Sequence, residues 1–474
     1  MSKHIPQSYG LPVFKHTVDM SIRPIQTMVS MQHAYADLVE MHFPGNYTMY
    51  YVSNPELIEE VLVTRQKSFH KDAFLKVYAS AVFGNGLLSS DGEFWLRQRR
   101  MAQPAFHRQR IESYGQIIAQ HTERFVEQIT PGKPFNLTKA MNQLTLDIVA
   151  ETLFGNVSDT HKDTISNSLD AVMDQFSNDG LGLLSHLTKI PFTKAREERY
   201  QEATKLLDQT IVAIIEARMQ NSIERNDLLG MFLAARDDDN QPMSLRQLAD
   251  ECKTMFLAGH ETTALTMTWM MWTLLKHPQI LTTLQKEIHD VLGSRTATMA
   301  DMANLTYTEQ VIRESMRLYP PAYTISRHSI EPVDIGGYLI PSDKDVHMSQ
   351  YAMHRDARWY PNPDAFIPER WTSEFRASLP KYAYFPFGGG PRLCIGQQFA
   401  LLESTIILTR MIQHGEWELP GWQRITPQPS ITLRPKQAVM VALRCTSNAD
   451  GAYTNAHATH DDDNGGDGSD GGGD

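Results

Sequence analysis

The sequence predicts a mainly α-helical protein with small β-sheets, folded as a single domain over residues 1–445. Three observations carry that prediction. Between Arg110 and about Gln220, one helical pattern follows another. From Ser244 to Lys276 a single pattern runs for roughly 32 residues, or ~48 Å at the helical rise, well beyond the usual length. Near the C-terminus a glycine-rich turn carrying Cys394 leads into a last amphipathic helix. The 474 residues exceed a typical domain, yet with 41% apolar residues a helical chain of this size can enclose one large core.

Charge and cysteine usage narrow the class. Seven of the eleven net negative charges are aspartates between Thr446 and Asp474, a segment without lysine or arginine, which leaves −4 for the rest. So mild an acidity gives no reason to expect nucleic acid as a partner. The segment 446–474 is rich in aspartate and glycine, has nothing to bury and lacks the spacing of a calcium loop. It is expected to be a disordered tail without a site. Cys252, Cys394 and Cys445 are too few and too far apart for a disulfide framework or a zinc site, and fit a reducing compartment. The first ten residues hold no apolar run of signal or anchor length, and the apolar stretch 264–275 is too short to span a bilayer. The expectation is a cytoplasmic protein without a stable membrane anchor.

The first hundred residues mix short elements. Residues 47–53 read as a strand and 55–64 as a helix with proline at its start. The stretch 71–75, with Lys71 and Phe74, precedes the glycine-punctuated apolar run 82–88, with Val82, Phe83 and Leu87. Both read as loops with buried anchors. Trp95 and Arg99 then fall four apart on one helical face, where an indole N–H and a guanidinium can clamp a carboxylate. A solvated basic helix face gives the same pattern. Helices follow at 111–130, 137–154, 162–176 and 194–219; the break at 178–182 contains Leu181.

Ser244 and Gln247 offer a capping box for the long helix. Its middle reads Met255-Phe-Leu-Ala-Gly-His-Glu-Thr-Thr-Ala264. A mid-helix glycine costs ~1 kcal/mol relative to alanine, and a carboxylate among apolar neighbours costs more unless partnered. A functional account explains both. Gly259 removes bulk where the helix passes over a cofactor, and Thr262 turns its hydroxyl onto the Ala258 carbonyl, opening the helix locally. Glu261 can then shuttle protons into the notch.

Thr306 and Glu309 form a second capping box, opening a helix that Pro320-Pro321 ends. Glu314 and Arg317 share a face of it. Residues 322–327 read as a strand with Ala322 on one side and Ile325 and Arg327 on the other. Ile335-Gly-Gly-Tyr338 reads as a hairpin turn. The strands 430–433, with Ile431, and 438–443 close the chain, joined by the turn Arg434-Pro-Lys.

Between them and the hairpin lies Phe387-Gly-Gly-Gly-Pro-Arg-Leu-Cys-Ile-Gly396. Taken alone, Cys394 reads as a small buried hydrophobe. Three glycines let a tight loop lie flat against a bulky object, and a following helix N-terminus favours a thiolate, a soft ligand for iron. Phe387, Gly390, Arg392, Cys394 and Gly396 fill every fixed position of Phe-x-x-Gly-x-Arg-x-Cys-x-Gly. This resembles the haem-ligand loop of the cytochrome P450 family. Ala258-Gly-His-Glu-Thr-Thr263 resembles that family's acid–alcohol motif, and Trp95–Arg99 and Glu314–Arg317 recur in its order.

The resemblance implies a P450 fold holding haem b between the long helix and the cysteine-loop helix. It implies Cys394 as iron ligand, with Phe387, Gly388, Ile395 and Gly396 around it and Ala258 and Gly259 on the opposite face. Trp95, Arg99, Arg327, Arg392 and Lys71 are implied as propionate contacts, and Glu261 and Thr262 as the proton-delivering pair. Glu314, Arg317 and Arg370 are implied as a structural network. Phe74, Val82, Phe83, Leu87, Leu181, Ala258, Ala322, Ile325 and Ile431 are candidates for the substrate wall.

The expected activity is O2-dependent hydroxylation or epoxidation of a lipophilic molecule such as a fatty acid, terpenoid or steroid. No reductase follows the haem domain, so electrons from NAD(P)H are expected through a separate ferredoxin or flavodoxin, docked to a monomer at Arg97, Arg100, Arg108 and Arg110. Two rivals remain: a peroxide-driven peroxygenase on the same fold, and a haem protein that only binds a ligand or carries electrons.

Overall fold

The structure is a computed structural model and describes residues 3–8, 12–35, 37–44, 47–72, 80–155, 157–177, 194–220 and 227–445. Phe74, Leu181 and the segment 446–474 lie outside the described residues. The principal helices are α1 (Gly92–Ala102), α2 (Arg108–Glu127), α3 (Leu137–Phe154), α4 (Asp159–Ser177), α5 (Lys194–Gln220), α6 (Leu245–Leu275), α7 (Pro278–Leu292), α8 (Thr306–Leu318) and α9 (Gln397–His414). With four small sheets among the described residues, the architecture is the mainly α class expected.

The axis is α6, whose 31 residues pack on α3, α5, α8 and α9. A helix enclosed on every side needs apolar residues all round. Here Phe256, Leu265, Met267, Trp269 and Leu274 are among those that supply them. Its start is fixed by the Ser244–Gln247 capping box, both halves of which form. The final helix, α9, buries Phe399, Leu402 and Ile406 and ends at Gly415.

The strands used below are β1 (Leu38–Phe43), β2 (Tyr47–Val52), β3 (Phe69–His70), β4 (Ile325–Ser329), β5 (Val333–Ile335), β6 (Tyr338–Ile340), β7 (Lys344–Met348), β8 (Pro427–Pro429), β9 (Leu433–Pro435) and β10 (Met440–Leu443), the last flanked by the short strands Phe135–Asn136 and Trp417–Glu418. The largest sheet has the order β1-β2-β7-β4-β3, with β2 and β7 parallel and the other pairs antiparallel. Its register sets Arg327 opposite Val346. The β5–β6 hairpin turns at Gly336 and Gly337, both at positive φ, as the Gly-Gly pair requires.

Several expectations need correction. Residues 322–324 are not strand. Pro321 O accepts from Leu433 N, Tyr323 O from Tyr351 N, and the Thr324 hydroxyl donates to Met348 O, so this segment serves other elements instead of a ladder. Of the proposed strand 430–433, residues 430–432 are instead the turn between β8 and β9, closed by Ser430 N donating to Thr432 O, while Leu433 opens β9 and Arg434 lies within it. Two prolines in β8 hid that strand, since proline is tolerated only at ladder edges. The helix 55–64 is a single α-helical stretch followed by a π-helical stretch, Glu60–Thr64.

The Thr306–Glu309 capping box does not form: Leu305 is the N-cap and makes no side-chain bond. Glu287 of α7 caps the helix from outside, accepting from Tyr307 N at 2.5 Å, Thr308 N at 2.8 Å and the Thr308 hydroxyl at 2.8 Å. Glu309 pairs instead with Arg313 and Arg376.

Candidate active site

The cysteine loop is shaped by glycine where nothing else fits. Gly390 has φ +65°, and a Cβ there would lie 1.9 Å from the Leu62 carbonyl oxygen. Gly388 has φ +73° with open space beside it. The loop closes through Cys394 N donating to Phe387 O at 3.0 Å and Gly390 N to the Tyr382 hydroxyl at 3.2 Å. Cys394 thus sits two residues before Gly396, the N-cap of α9. Its surface is accessible, yet burial pushes its thiol above the ordinary value, opposed by the Gly396 N–H and the Arg99 guanidinium. The sulfur is thus reachable, while enough of the chain surrounds it to disfavour its charge.

A matching strip opens on α6. Ala258 is exposed and Gly259 and Thr262 are half-buried, although the helix around them is enclosed. The Thr262 hydroxyl donates to Ala258 O at 2.8 Å, as the sequence reading expects. The same bond recurs at Thr254, Thr266, Thr268 and Thr273, so exposure, not the bond, sets Thr262 apart. Two expectations change here. The helix stays continuous through this stretch, without a local opening. A Cβ on Gly259 would come 2.9 Å from Val149 Cγ2, so this glycine admits α3 rather than leaving room over a cofactor.

Near the loop the structure gathers cations. Arg392 pairs with Asp91 at 2.5 Å, donates to Ser90 O at 3.0 Å and lies over the Trp95 ring at 4.3 Å. Arg327 is buried and, among the described residues, its guanidinium donates to Ser326 O alone. Among the described residues, no carboxylate lies within ion-pair distance of Lys71, Arg99 or Arg327. Burial, with repulsion from Arg327 and Arg392, brings the Lys71 ammonium down to about 7, opposed by Asp91 and Asp72. Burial, then Arg392, lowers Arg327 to about 10. Such an excess of buried positive charge calls for an anion. Together with an accessible thiol and an accessible stretch of α6, it fits a haem with two propionates.

The acid of the strip is not free. Glu261 is 3% exposed, and its Oε1 accepts from the Thr432 hydroxyl at 2.7 Å and from Arg434 Nε at 2.7 Å, with Arg434 Nη2 at 2.6 Å. Sequence reasoning missed both partners; an arginine and a threonine flanking Leu433 in an apolar C-terminal stretch were the available signal. It also missed Glu403 on α9, fully buried with neither oxygen hydrogen-bonded among the described residues, and pushed by burial up to about 8, with Thr263 opposing. Its signal was a carboxylate four residues after Phe399 on the face that turns inward.

Of the wall candidates, Val82, Phe83 and Leu87 join the main helical core and Ile431 packs against it. Ile325 packs on the sheet core instead, and Ala322 is half-buried before β4. Farther off, Glu314 and Arg317 are fully buried and paired at 2.8 Å, and Glu314 also takes Arg370 Nε at 3.0 Å and Trp371 Nε1 at 2.9 Å. Arg317 donates onward to the carbonyls of His354, Pro363 and Ala365. On the surface, Arg97 and Arg100 of the expected docking patch are already paired, with Asp237 and Asp238.

This is the geometry of a haem-thiolate oxygenase. The chain belongs to the cytochrome P450 family, whose model matches residues 5–442. It is 34% identical to cyclooctatin synthase of Streptomyces melanosporofaciens over 92% of this chain and 95% of that protein. It is 31% identical to cyclooctat-9-en-7-ol 5-monooxygenase of the same organism, covering 90% of each. With pentalenene oxygenase of Streptomyces avermitilis the identity is 30%, over 90% of this chain and 92% of that one. No helix among the described residues is long and apolar enough to cross a membrane.

Proposed function

We propose that the chain hydroxylates or epoxidises a terpenoid with one atom of O2, acting in the cytoplasm as a monomer. Its electrons come from NAD(P)H through a separate ferredoxin or flavodoxin. The observation that supports this best is the accessibility of Ala258 and Thr262 in the enclosed middle of α6, together with an accessible Cys394 at the N-terminus of α9. The terpenoid class rests on the relatives named for cyclooctatin, cyclooctat-9-en-7-ol and pentalenene. When bound, haem supplies oxygen activation, favoured by a thiolate ligand.

The chain's own residues do the rest. Cys394 holds the iron, and Phe387 packs beside the sulfur and tempers its donation. Gly388, Ile395 and Gly396 shape the surface beneath the ring. Lys71, Trp95, Arg99, Arg327 and Arg392 anchor the propionates. Thr262 and Glu261 hold and pass protons at the strip. Val82, Phe83, Leu87, Ala322, Ile325 and Ile431 bound the substrate, and Glu314, Arg317 and Arg370 brace the loop. Residues 1–445 form the single domain in which this happens.

Three measurements test the reading. The reduced protein with carbon monoxide should absorb as a thiolate-ligated haem. Cyclooctat-9-en-7-ol should shift the ferric protein toward high spin. Turnover under labelled O2 with NADPH, a ferredoxin and its reductase should put a single labelled atom in the product. Absorption of the imidazole-ligated type, or colourless protein after haem supply, overturns the reading. Turnover with peroxide but with no reductase replaces it by a peroxygenase.

A further inference from the structure

We propose that Arg434 and Thr432, on the C-terminal β8–β9 hairpin, are positioning residues that aim Glu261 for proton delivery. The proposal rests on the oxygenase reading above and goes beyond it. Among the described residues, three donors converge on Glu261 Oε1: the Thr432 hydroxyl, Arg434 Nε and Arg434 Nη2. Oε2 accepts no hydrogen bond among the described residues. A carboxylate held by one oxygen keeps a defined orientation while its other oxygen stays available to a water or a hydroxyl.

The donors do not belong to the helix that carries the acid. Thr432 and Arg434 flank Leu433, whose carbonyl accepts from Trp269 Nε1 at 2.9 Å and whose amide donates to Pro321 O at 2.9 Å. Tyr323 adds a bond from its hydroxyl to Ser430 O at 2.9 Å. The hairpin is therefore seated on α6 and on the segment before β4 by neutral bonds that do not involve Glu261. These bonds hold Arg434 and Thr432 in place, and the ion pair then fixes the acid. Removing the guanidinium leaves the seat intact and the acid without its main restraint.

The test uses full-length haem-loaded protein and the variants R434Q, R434K and T432V. Infrared difference spectra of the resting ferric protein, assigned by subtracting E261Q, report the Glu261 carboxylate without turnover. R434Q should move these bands, R434K should return them toward the wild-type position, and T432V should move them less. In turnover with cyclooctat-9-en-7-ol, NADPH, ferredoxin and reductase, R434Q should give roughly tenfold less product per O2 consumed, the balance appearing as peroxide, a smaller effect than outright loss of a positioned proton donor because Glu261 itself remains. Unchanged bands and unchanged peroxide release in R434Q overturn the proposal, and the same null result in T432V does so if R434Q fails to load haem. A wild type without the thiolate-type carbon monoxide absorption overturns the oxygenase reading instead. The spectra at rest separate these failures from a poor choice of substrate.

Discussion

Single residues here carry consequences that can be measured one at a time. Glu403 is a carboxyl pushed by burial from 4.5 up to about 8. Between those values the folded chain keeps a proton that the unfolded chain has released, so stability falls as pH rises through this window. E403Q should remove that slope and raise stability near pH 7 by roughly 2–3 kcal/mol, read by urea denaturation at pH 5 and pH 8; equal slopes in both proteins would refute it. Lys71 gives the opposite sign. Its ammonium, held down to about 7, should be pulled up by an entering propionate, so on haem binding at pH 8 Lys71 should take up a proton that offsets the one the Cys394 thiol gives up as a ligand. Calorimetry in buffers of different ionisation heat reads the net balance, which K71Q should shift toward release. Cys394 and Thr262 were legible in the sequence because local motifs surround them. Arg434 was not, because its partner Glu261 lies 173 residues away and no local pattern announces the contact.

At the scale of elements, what folds α8 is a neighbour's side chain. Because Glu287 caps that helix from α7, E287A should cost about 1–2 kcal/mol by chemical denaturation, whereas T306A should cost only a few tenths. A reversed order would restore the local capping box. The cysteine loop answers to a single backbone contact: at Gly390 a methyl group meets the Leu62 carbonyl at a left-handed φ. G390A should therefore fail to retain haem even where the helices form, checked by haem content against far-ultraviolet circular dichroism. The helices predicted from 111 to 219 and the long α6 were readable to within about a turn because their periodicity is local, whereas α7 went unread. The short strands were not: β4 and β8 owe their limits to carbonyls and amides used by distant segments, and to prolines whose ladder lies on one side only.

Across the whole molecule, the cofactor and the fold stabilise one another. A ligand that binds only the folded chain adds about 4 kcal/mol at a thousandfold excess over its Kd. Stripping haem should lower the melting temperature by several degrees, and R327L should shrink the gap between the haem-loaded and stripped forms. On the outside, Asp237 and Asp238 neutralise Arg97 and Arg100. D237N with D238N should then speed reduction by an acidic ferredoxin, most clearly at low salt. The hairpin that bears Ile431 also bears the residues that grip Glu261. Libraries that randomise this turn to recruit new molecules will therefore perturb oxygen economy together with selectivity. Variants chosen for altered taste alone should leak reducing power, and the leak should be repaired by second-site changes on α6 rather than by further changes in the wall.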